Sequence, residues 1–370
     1  MTVPGEGVGI TDRVANVTIS KWFKSMSDQA KQKHAFLHML DKKKGIHMGC
    51  SGGDMVWPVE YKYADIKPHV DGALKTADRK TLTFDARLPW RGYESDEVWT
   101  LMEKLQNGGE SAMVKLFKTR EKKIKKGLHQ QLGREWFKDG AATGNEHTFH
   151  GAESLFSGIG VQTAADKFAT SLSSTYAGKS CSYTSLKSNA TKGTDEEYGA
   201  WSGVLVNTNR NPGAGTRAWE DYADEYIRAG VLEAARGQDQ EDRTDIILLA
   251  KEYYEELLNI LDDKERISYR RGENVAMVKA GFTDFVEVDG VQIGWDFGME
   301  SHKTDANGDE CQGYGFNMDQ VGLYMLNESA LWDSKTQWVM DYAAMRCYFW
   351  CLGNLRFEGP RHVLKFAAIS

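Results

Sequence analysis

A chain of 370 residues can bury a substantial core and has room for two or three domains. Its net charge of −7 argues against a dedicated nucleic-acid binder, and no apolar run approaches the roughly 20 residues that span a bilayer. The start, MTVPGEGVGITDR, has neither the basic end nor the apolar core of a signal peptide, and five scattered cysteines (Cys50, Cys181, Cys311, Cys347, Cys351) fit reduced cytoplasmic thiols better than a disulfide framework.

Residues 1–19 lack periodicity and read as an extended arm. Ser20 is placed to cap a helix running to about Lys43, closed by Lys42-Lys43-Lys44 at the negative dipole end and by Gly45 as the stop. Two extended arms follow, Met55–Val70 and Thr81–Tyr93, and Pro58 and Pro68 mark the first as a free ribbon instead of the middle of a sheet. Thr81–Leu88 alternates, which makes a strand with one buried face. The ribbon as a whole shows little apolar alternation, so it is expected to lean on something outside its own domain, most simply a second copy of the chain.

A short helix is expected over Glu97–Leu105, then a long one over Glu110–Lys138. Met113, Leu116, Phe117, Ile124, Leu128, Leu132 and Trp136 trace its buried stripe, and Gly127 and Gly133 are candidates for bending it. Its 29 or so residues would reach about 43 Å. Asp139-Gly140-Ala141-Ala142-Thr143-Gly144-Asn145 is a glycine-rich turn. Short strands and turns fill the chain to about Gly215. Trp219–Ala235 and Lys251–Leu261 read as helices, and Thr244–Leu249 and Gly322–Leu326 as strands. Phe285–Ile293 is a hairpin turning at Asp289-Gly290. Gln337–Leu352 alternates, and Leu355, Phe357 and Val363–Ala368 close the chain as strand. The class is α+β with discontinuous domains.

Charge is unevenly spread. Lys115–Lys126 carries seven basic residues against Glu121 alone, while Arg217–Glu265 carries 15 acidic residues against six basic ones. Solvated helix faces are the plain reading, and complementary surfaces the alternative.

Nothing converges on catalysis. His34 and His38 have metal-ligand spacing, but no third ligand can be placed and the intervening residues lack a catalytic Glu. The stretch from Asp305 fails as a calcium loop, with Glu310 where glycine belongs and Phe316 where the bidentate Glu belongs. Cys347 and Cys351 read as small buried hydrophobes. There is no G-x-S-x-G elbow, and Gly213-Ala214-Gly215-Thr216-Arg217 lacks the lysine of a phosphate loop. The expectation is no enzyme activity, cofactor, metal or membrane partner.

Taken in order, the hairpin, the long helix, the turn Asp139–Asn145 with Gly151 and Leu155 after it, the strand-then-helix Thr244–Leu257, the strand Val288–Asp296 and the strand end Met325-Leu326-Asn327 resemble the major capsid proteins of tailed bacteriophages, the Hong Kong 97-type family. The resemblance covers most of residues 50–370. The inserted Ala in the turn and the missing proline before Val291-Gln292-Ile293 depart from the family pattern.

The resemblance implies a Hong Kong 97-type α+β fold. Residues 1–50 would be an N-terminal arm and 51–95 an extended β-hairpin loop. Residues 96–140 and 335–370 would form a peripheral domain with the long helix as its spine, and 141–334 an axial domain. It implies self-assembly into pentamers and hexamers of an icosahedral shell around double-stranded DNA, in the host cytoplasm and then the virion. Portal, scaffold and decoration proteins would be further partners, with weak non-specific contact to the packaged DNA. An encapsulin-like nanocompartment holding protein cargo, and a soluble enzyme with a dispersed site, are the alternatives. The residues assigned to contacts between subunits are Trp57, Lys62, Asp65, Lys67, Lys75, Asp78, Arg79 and Lys80 on the loop, with Arg120 and Lys122 on the helix.

Overall fold

Local pattern sets most elements of this chain, and long-range pairing overrides it in a few. The computed structural model describes residues 34–60, 83–100, 123–156 apart from 125 and 129, 168, 174–181, 201–209, 218–235, 243–263, 285–304 apart from 289, 308–326, 332–333, 337–339 and 344–369. The first elements are α1 (Ala35–Lys42), β1 (Ile46–His47), β2 (Asp54–Glu60), β3 (Thr83–Pro89), β4 (Arg91–Thr100) and a helix over 123–135, called α2. Then come β5 (Thr175–Tyr176), β6 (Lys179–Ser180), β7 (Val204–Asn207), α3 (Trp219–Ala234), β8 (Ile246–Leu249), α4 (Lys251–Asp263), β9 (Val286–Val288) and β10 (Val291–Trp295). The chain closes with β11 (Glu310–Phe316), β12 (Val321–Met325), β13 (Trp332–Asp333), β14 (Gln337–Val339), β15 (Ala344–Phe357) and β16 (Val363–Ala368).

One sheet is organised on β15. Antiparallel β4 follows one side of it from Ala344↔Thr100 to Gly353↔Arg91. On the other side β14, β13 and β12 lie end to end, and β1 adds in parallel to β12. Alternation is the reason β15 is a strand: Cys347, Phe349 and Cys351 are buried, while Arg346, Tyr348 and Trp350 between them are half-exposed. The expected thiols-as-hydrophobes reading fits Cys347 and Cys351, which are buried and form no disulfide.

The second sheet has the order β7-β16-β11-β8-β10-β9. Its β7 (VLVN) and β8 (IILL) are buried along their whole length, as continuous apolar strands covered on both faces must be. α3 packs on β7 and β16, and α4 on β10. The β9–β10 hairpin turns at Gly290, whose φ of +80° only glycine adopts without strain. The outward residues Glu220, Asp221, Glu252 and Glu255 are exposed, so the acidic segment presents solvated helix faces at these positions.

Several expectations change. Residues 97–100 are strand, not helix; pairing with β15, some 250 positions away, overrides their local preference, and 101–105 lie outside the described residues. The strand β11 carries no sequence signal because Gly313 and Gly315 interrupt it. A side chain at Gly313 would overlap the Leu248 carbonyl, and one at Gly315 would sit 3.0 Å from Leu364, so the close spacing of strands requires both glycines. α1 ends through Lys44 at φ +59°, not Gly45; Gly45 instead lets the chain approach the Val321 carbonyl. Gly133 leaves room for the His34 ring, which a Cβ would overlap. Strands from both sides of the 334/335 boundary share sheets: β16 lies between β7 and β11, and β12 and β13 pair with β15. Of the long helix, 110–122 fall outside the described residues. The helix expected from Ser20 does not run unbroken to Lys43: His34 is extended (φ −127°, ψ 112°) and α1 begins at Ala35, with 20–33 outside the described residues.

Gly127 and Gly133 give opposite predictions. A Cβ at Gly127 meets nothing within 4 Å, so Gly127→Ala should stabilise the protein by about 0.5–1 kcal/mol through helix propensity. Gly133→Ala should destabilise it by about 1–3 kcal/mol by displacing His34. Urea unfolding of both variants checks the pair, and equal shifts would contradict the packing described.

Candidate functional site

The β2–β3 hairpin has two unlike faces. Its register runs from Asp54↔Pro89 to Glu60↔Thr83, and period-2 alternation divides the side chains. Inward, Met55, Trp57, Ala86 and Leu88 are buried. Trp57 lies 6.4 Å from Trp201 between ring centroids, Phe84 meets the same Trp201 edge-on at 5.2 Å, and the Trp57 indole N–H donates to the Glu358 carbonyl at 3.2 Å. The Arg356 guanidinium lies between the rings of Trp57 and Tyr324, 4.9 and 4.5 Å from their centroids. Outward, Asp54, Val56, Pro58, Glu60, Thr83, Asp85, Arg87 and Pro89 are all exposed. The expectation that the ribbon cannot bury itself in its own domain therefore fails for the inner face, which rests on its own chain; the outer face is exposed.

The root of the hairpin is tied to the glycine-rich turn. β3 passes through Trp90 directly into β4, and the Trp90 indole donates to Gly52 O at 2.9 Å, closing the two sides of the root. Arg91 Nη1 donates to the carbonyls of Gly140 (2.5 Å), Thr148 (2.6 Å) and Asn145 (3.3 Å). Asn354 of β15, fully buried, donates from Nδ2 to Pro89 O at 2.9 Å and accepts from His150 N at 2.9 Å. The Tyr93 hydroxyl accepts from Phe149 N at 3.0 Å. Within the turn, Asp139 accepts from Ala141 N and Asn145 Nδ2 donates to Asp139 O. Burial, and then the charge of Arg91, hold the His150 imidazole down at about 3, so it is neutral.

Beyond the turn a buried ion pair joins the short 3₁₀ segment Ala152–Leu155 to the second sheet. Lys365 Nζ of β16 lies 2.9 and 2.8 Å from the two carboxylate oxygens of Glu153, and Tyr314 of β11 donates to Glu153 Oε2 at 2.5 Å. Lys365 is 0% and Glu153 4% exposed, so neither charge is solvated. Such a pair is a weak source of net stability but costly to break from one side. A cavity of about 280 Å³ lies alongside, lined in part by Lys138, Asp139, Asn145, Glu153, His302 and Tyr314.

Near the C-terminal end of α2, beside Gly133, Asp296 receives Ala35 N at 3.0 Å and Gly298 N at 2.7 Å and lies 3.3 Å from His34 Nδ1. His34 thus sits at the start of α1 as a buried docking residue; the His38 side chain is outside the described set. Among the described residues no group of three or more His, Cys, Asp or Glu is placed to hold a metal ion, and no helix is long and apolar enough to cross a membrane.

Of the residues assigned to subunit contacts, Trp57 packs on its own chain, and Lys62, Asp65, Lys67, Lys75, Asp78, Arg79, Lys80, Arg120 and Lys122 lie outside the described residues. The turn that sequence reasoning singled out is placed at the hairpin root. The residues that hold it there, Arg91, Tyr93 and Asn354, carry no local signal. Lys365 does: a lysine inside the apolar strand VLKFAA demands a buried partner.

No family model matches the sequence, and no curated protein matches it. Solved structures do match. The capsid of an empty GTA particle aligns with a TM-score of 0.55 at 9% identity, over 90% of this chain and 90% of that one. The capsid of cyanophage A-1(L) gives 0.54 at 12% identity, over 87% of this chain and 90% of that one. The capsid of a native GTA particle gives 0.50 at 7% identity, over 90% and 91%. The mixed helix-and-sheet architecture is therefore the fold of phage capsid structures.

Two predictions test the geometry. Lys365→Met should cost about 3–5 kcal/mol, and adding Glu153→Gln should restore part of it, because the single variant leaves Glu153 buried without its cation. Strictly additive losses in denaturant unfolding would contradict the pairing. For His150 the folded pKa lies below the unfolded value near 6.5, so only the unfolded chain takes the proton between the two. Its contribution is therefore constant above about pH 6.5 and lost on acidification toward about 3, by at most about 1.4 kcal/mol per pH unit. His150→Asn should show a shallower acid limb than wild type, and parallel limbs would contradict a neutral buried imidazole.

Proposed function

We propose that this chain is the major shell subunit of a tailed-phage-type capsid, assembling through pentamers and hexamers into a closed icosahedral container for double-stranded DNA. The observation that carries the reading is the fold match to capsid structures along about nine-tenths of both chains. The hairpin supports it physically. Its inner face is fixed by the subunit's own residues, while Val56, Pro58 and Pro89 stand exposed on the outer face among the charges Asp54, Glu60, Asp85 and Arg87. On this face each apolar side chain stands opposite a charged one, Pro89 across from Asp54, Val56 from Arg87 and Pro58 from Asp85. Such a mixed exposed face suits a contact repeated from copy to copy.

In this reading α2 is the C-terminal part of the spine, and the sheet on β15 with α2 forms the peripheral domain. The second sheet with α3 and α4 forms the axial domain, which assigns β16 to the axial side. The segment 61–82 supplies the outer part of the extended loop, where Lys62, Asp65, Lys67, Lys75, Asp78, Arg79 and Lys80 pair with charges of a neighbour, each exposed pair contributing about 0–1 kcal/mol. Arg120 and Lys122 on the spine act in the same way. A net acidic wall suits a DNA container because it does not grip the phosphates packed against it. The role is structural, the particle is the place of work, and portal, scaffold and decoration proteins are its other partners.

Purified protein should form uniform closed particles by electron microscopy and sedimentation. A monomer or dimer at every ionic strength tried would overturn the shell reading, and particles from native lysates that hold a protein cargo and no DNA would replace phage capsid by nanocompartment. Deleting 62–79 should leave a cooperatively melting subunit that builds no stable shell. Loss of cooperative melting would show that the loop belongs to the core.

A further inference from the structure

We propose that Arg91 and the strap 139–150 form an elbow that sets the direction of the hairpin, and through it the curvature and size of the particle. The inference rests on the shell reading above. Arg91 is the first residue of β4, one residue after Trp90 ends the hairpin. It stands where the ribbon leaves the sheet, so its position governs the angle between them. Its three acceptors are backbone carbonyls spread over Gly140, Asn145 and Thr148, so one guanidinium gathers the whole strap. Tyr93 and Asn354 grip the same strap at Phe149 and His150, and Asn354 also holds Pro89 at the end of β3.

The strap is itself anchored at both ends. On one side it follows directly from α2, and Ala152 N donates to Trp136 O at 2.8 Å and Gly151 N to Lys138 O at 3.0 Å. On the other it enters the segment held by Glu153 and Lys365. The hairpin root is thereby referenced to the helix and the second sheet at once. The middle of the ribbon is held by packing of Trp57 and Phe84 on Trp201 and by single hydrogen bonds from Trp57 Nε1 to Glu358 O and from Arg87 N to Ala177 O. The root instead gathers several hydrogen bonds onto one strap.

Leverage makes the root matter. The six residue steps from Pro89 to Thr83 span about 20 Å, so a rotation of about 5° at Arg91 moves the far end by about 2 Å. That is a large error for a contact repeated around a shell, where the angle between neighbours decides whether and at what size the surface closes. Arg91 is in this sense a positioning residue that need not touch a neighbour.

Gly140 offers a second way to disturb the same elbow without removing a charge. A Cβ there would lie 2.8 Å from Arg91 Nη1 and 2.7 Å from the Phe149 carbonyl. The experiment is cryo-electron microscopy of particles from wild type, Arg91→Ala, Arg91→Lys and Gly140→Ala, with Ile247→Val as a core-weakening control remote from the strap. Wild type and Ile247→Val should give one size class. Arg91→Ala and Gly140→Ala should lose it, giving a shifted or broadened diameter distribution or open sheets, with Arg91→Lys intermediate. Particles of wild-type diameter and uniformity from Arg91→Ala and Gly140→Ala would overturn the elbow while leaving the shell reading intact. Should Arg91→Ala fail to fold, Arg91→Lys and Gly140→Ala decide, and unchanged particles from both overturn it. Failure of wild type itself to form shells removes the shell reading, and this inference falls with it.

Discussion

A two-stranded ribbon cannot form a core of its own, so each of its faces must find a covering. Here the covering of one face decides much of the rest. Met55, Trp57, Ala86 and Leu88 are closed over by Trp201 and the Arg356 side chain of the same chain, which makes the hairpin a fixed part of the subunit instead of a loose arm. Only the opposite face, with Val56, Pro58 and Pro89, is left for a partner. Had both faces been free, the ribbon would have to order itself on binding, at a cost in conformational entropy for every copy added. In the proposed shell, a face already fixed within the subunit would not have to be ordered on assembly.

The same economy of motion runs through the strap. From α2 the chain turns through Asp139–Asn145, passes under Arg91, meets Asn354 and ends at Glu153, whose carboxylate is buried against Lys365 and Tyr314. Each link joins elements far apart in sequence: hairpin to turn, turn to long strand, 3₁₀ segment to second sheet. The buried ion pair adds little net stability against apolar replacements, but it admits only one pairing of β16 with the segment that carries Glu153. Hydrogen bonds aimed at carbonyls of a glycine-rich turn work likewise, because they are satisfied in one geometry and costly to leave unmade in others. What these contacts supply is a single relative placement of helix, hairpin and sheets.

Much of this architecture was legible in the residues. Alternation marked β3 and the stretch Gln337–Leu352, though the structure divides the latter into β14 and the start of β15, paired antiparallel. Continuous apolar runs marked β7 and β8, Asp289-Gly290 marked a hairpin, and α3 and α4 were legible close to their observed ends. What escaped was set by distant partners. The end of β4, residues 97–100, reads locally as helix and is strand because β15 lies beside it; β11 is broken by glycines that allow close approach to Leu248 and Leu364. Trp57 looked like an anchor for a neighbour, and a lone tryptophan cannot reveal that its pocket, Trp201 and Arg356, comes from the same chain. Of the root contacts, the turn was visible as a glycine-rich segment, but Arg91 and Asn354 look like any polar residues on a strand until the fold brings them to it. Lys365 carries a local signal, a charge inside the apolar strand VLKFAA, although Val363–Ala368 reads from the sequence only as strand.

The division of labour between the two faces of the hairpin is the central claim, and a reconstruction of the assembled particle at side-chain resolution tests it most directly. Trp57 should remain packed on Trp201 and Arg356 of its own subunit, with Val56, Pro58 and Pro89 covered by the next copy. A particle in which the outer face points to solvent, or in which Trp57 leaves its own chain to fill a neighbour's pocket, would contradict it.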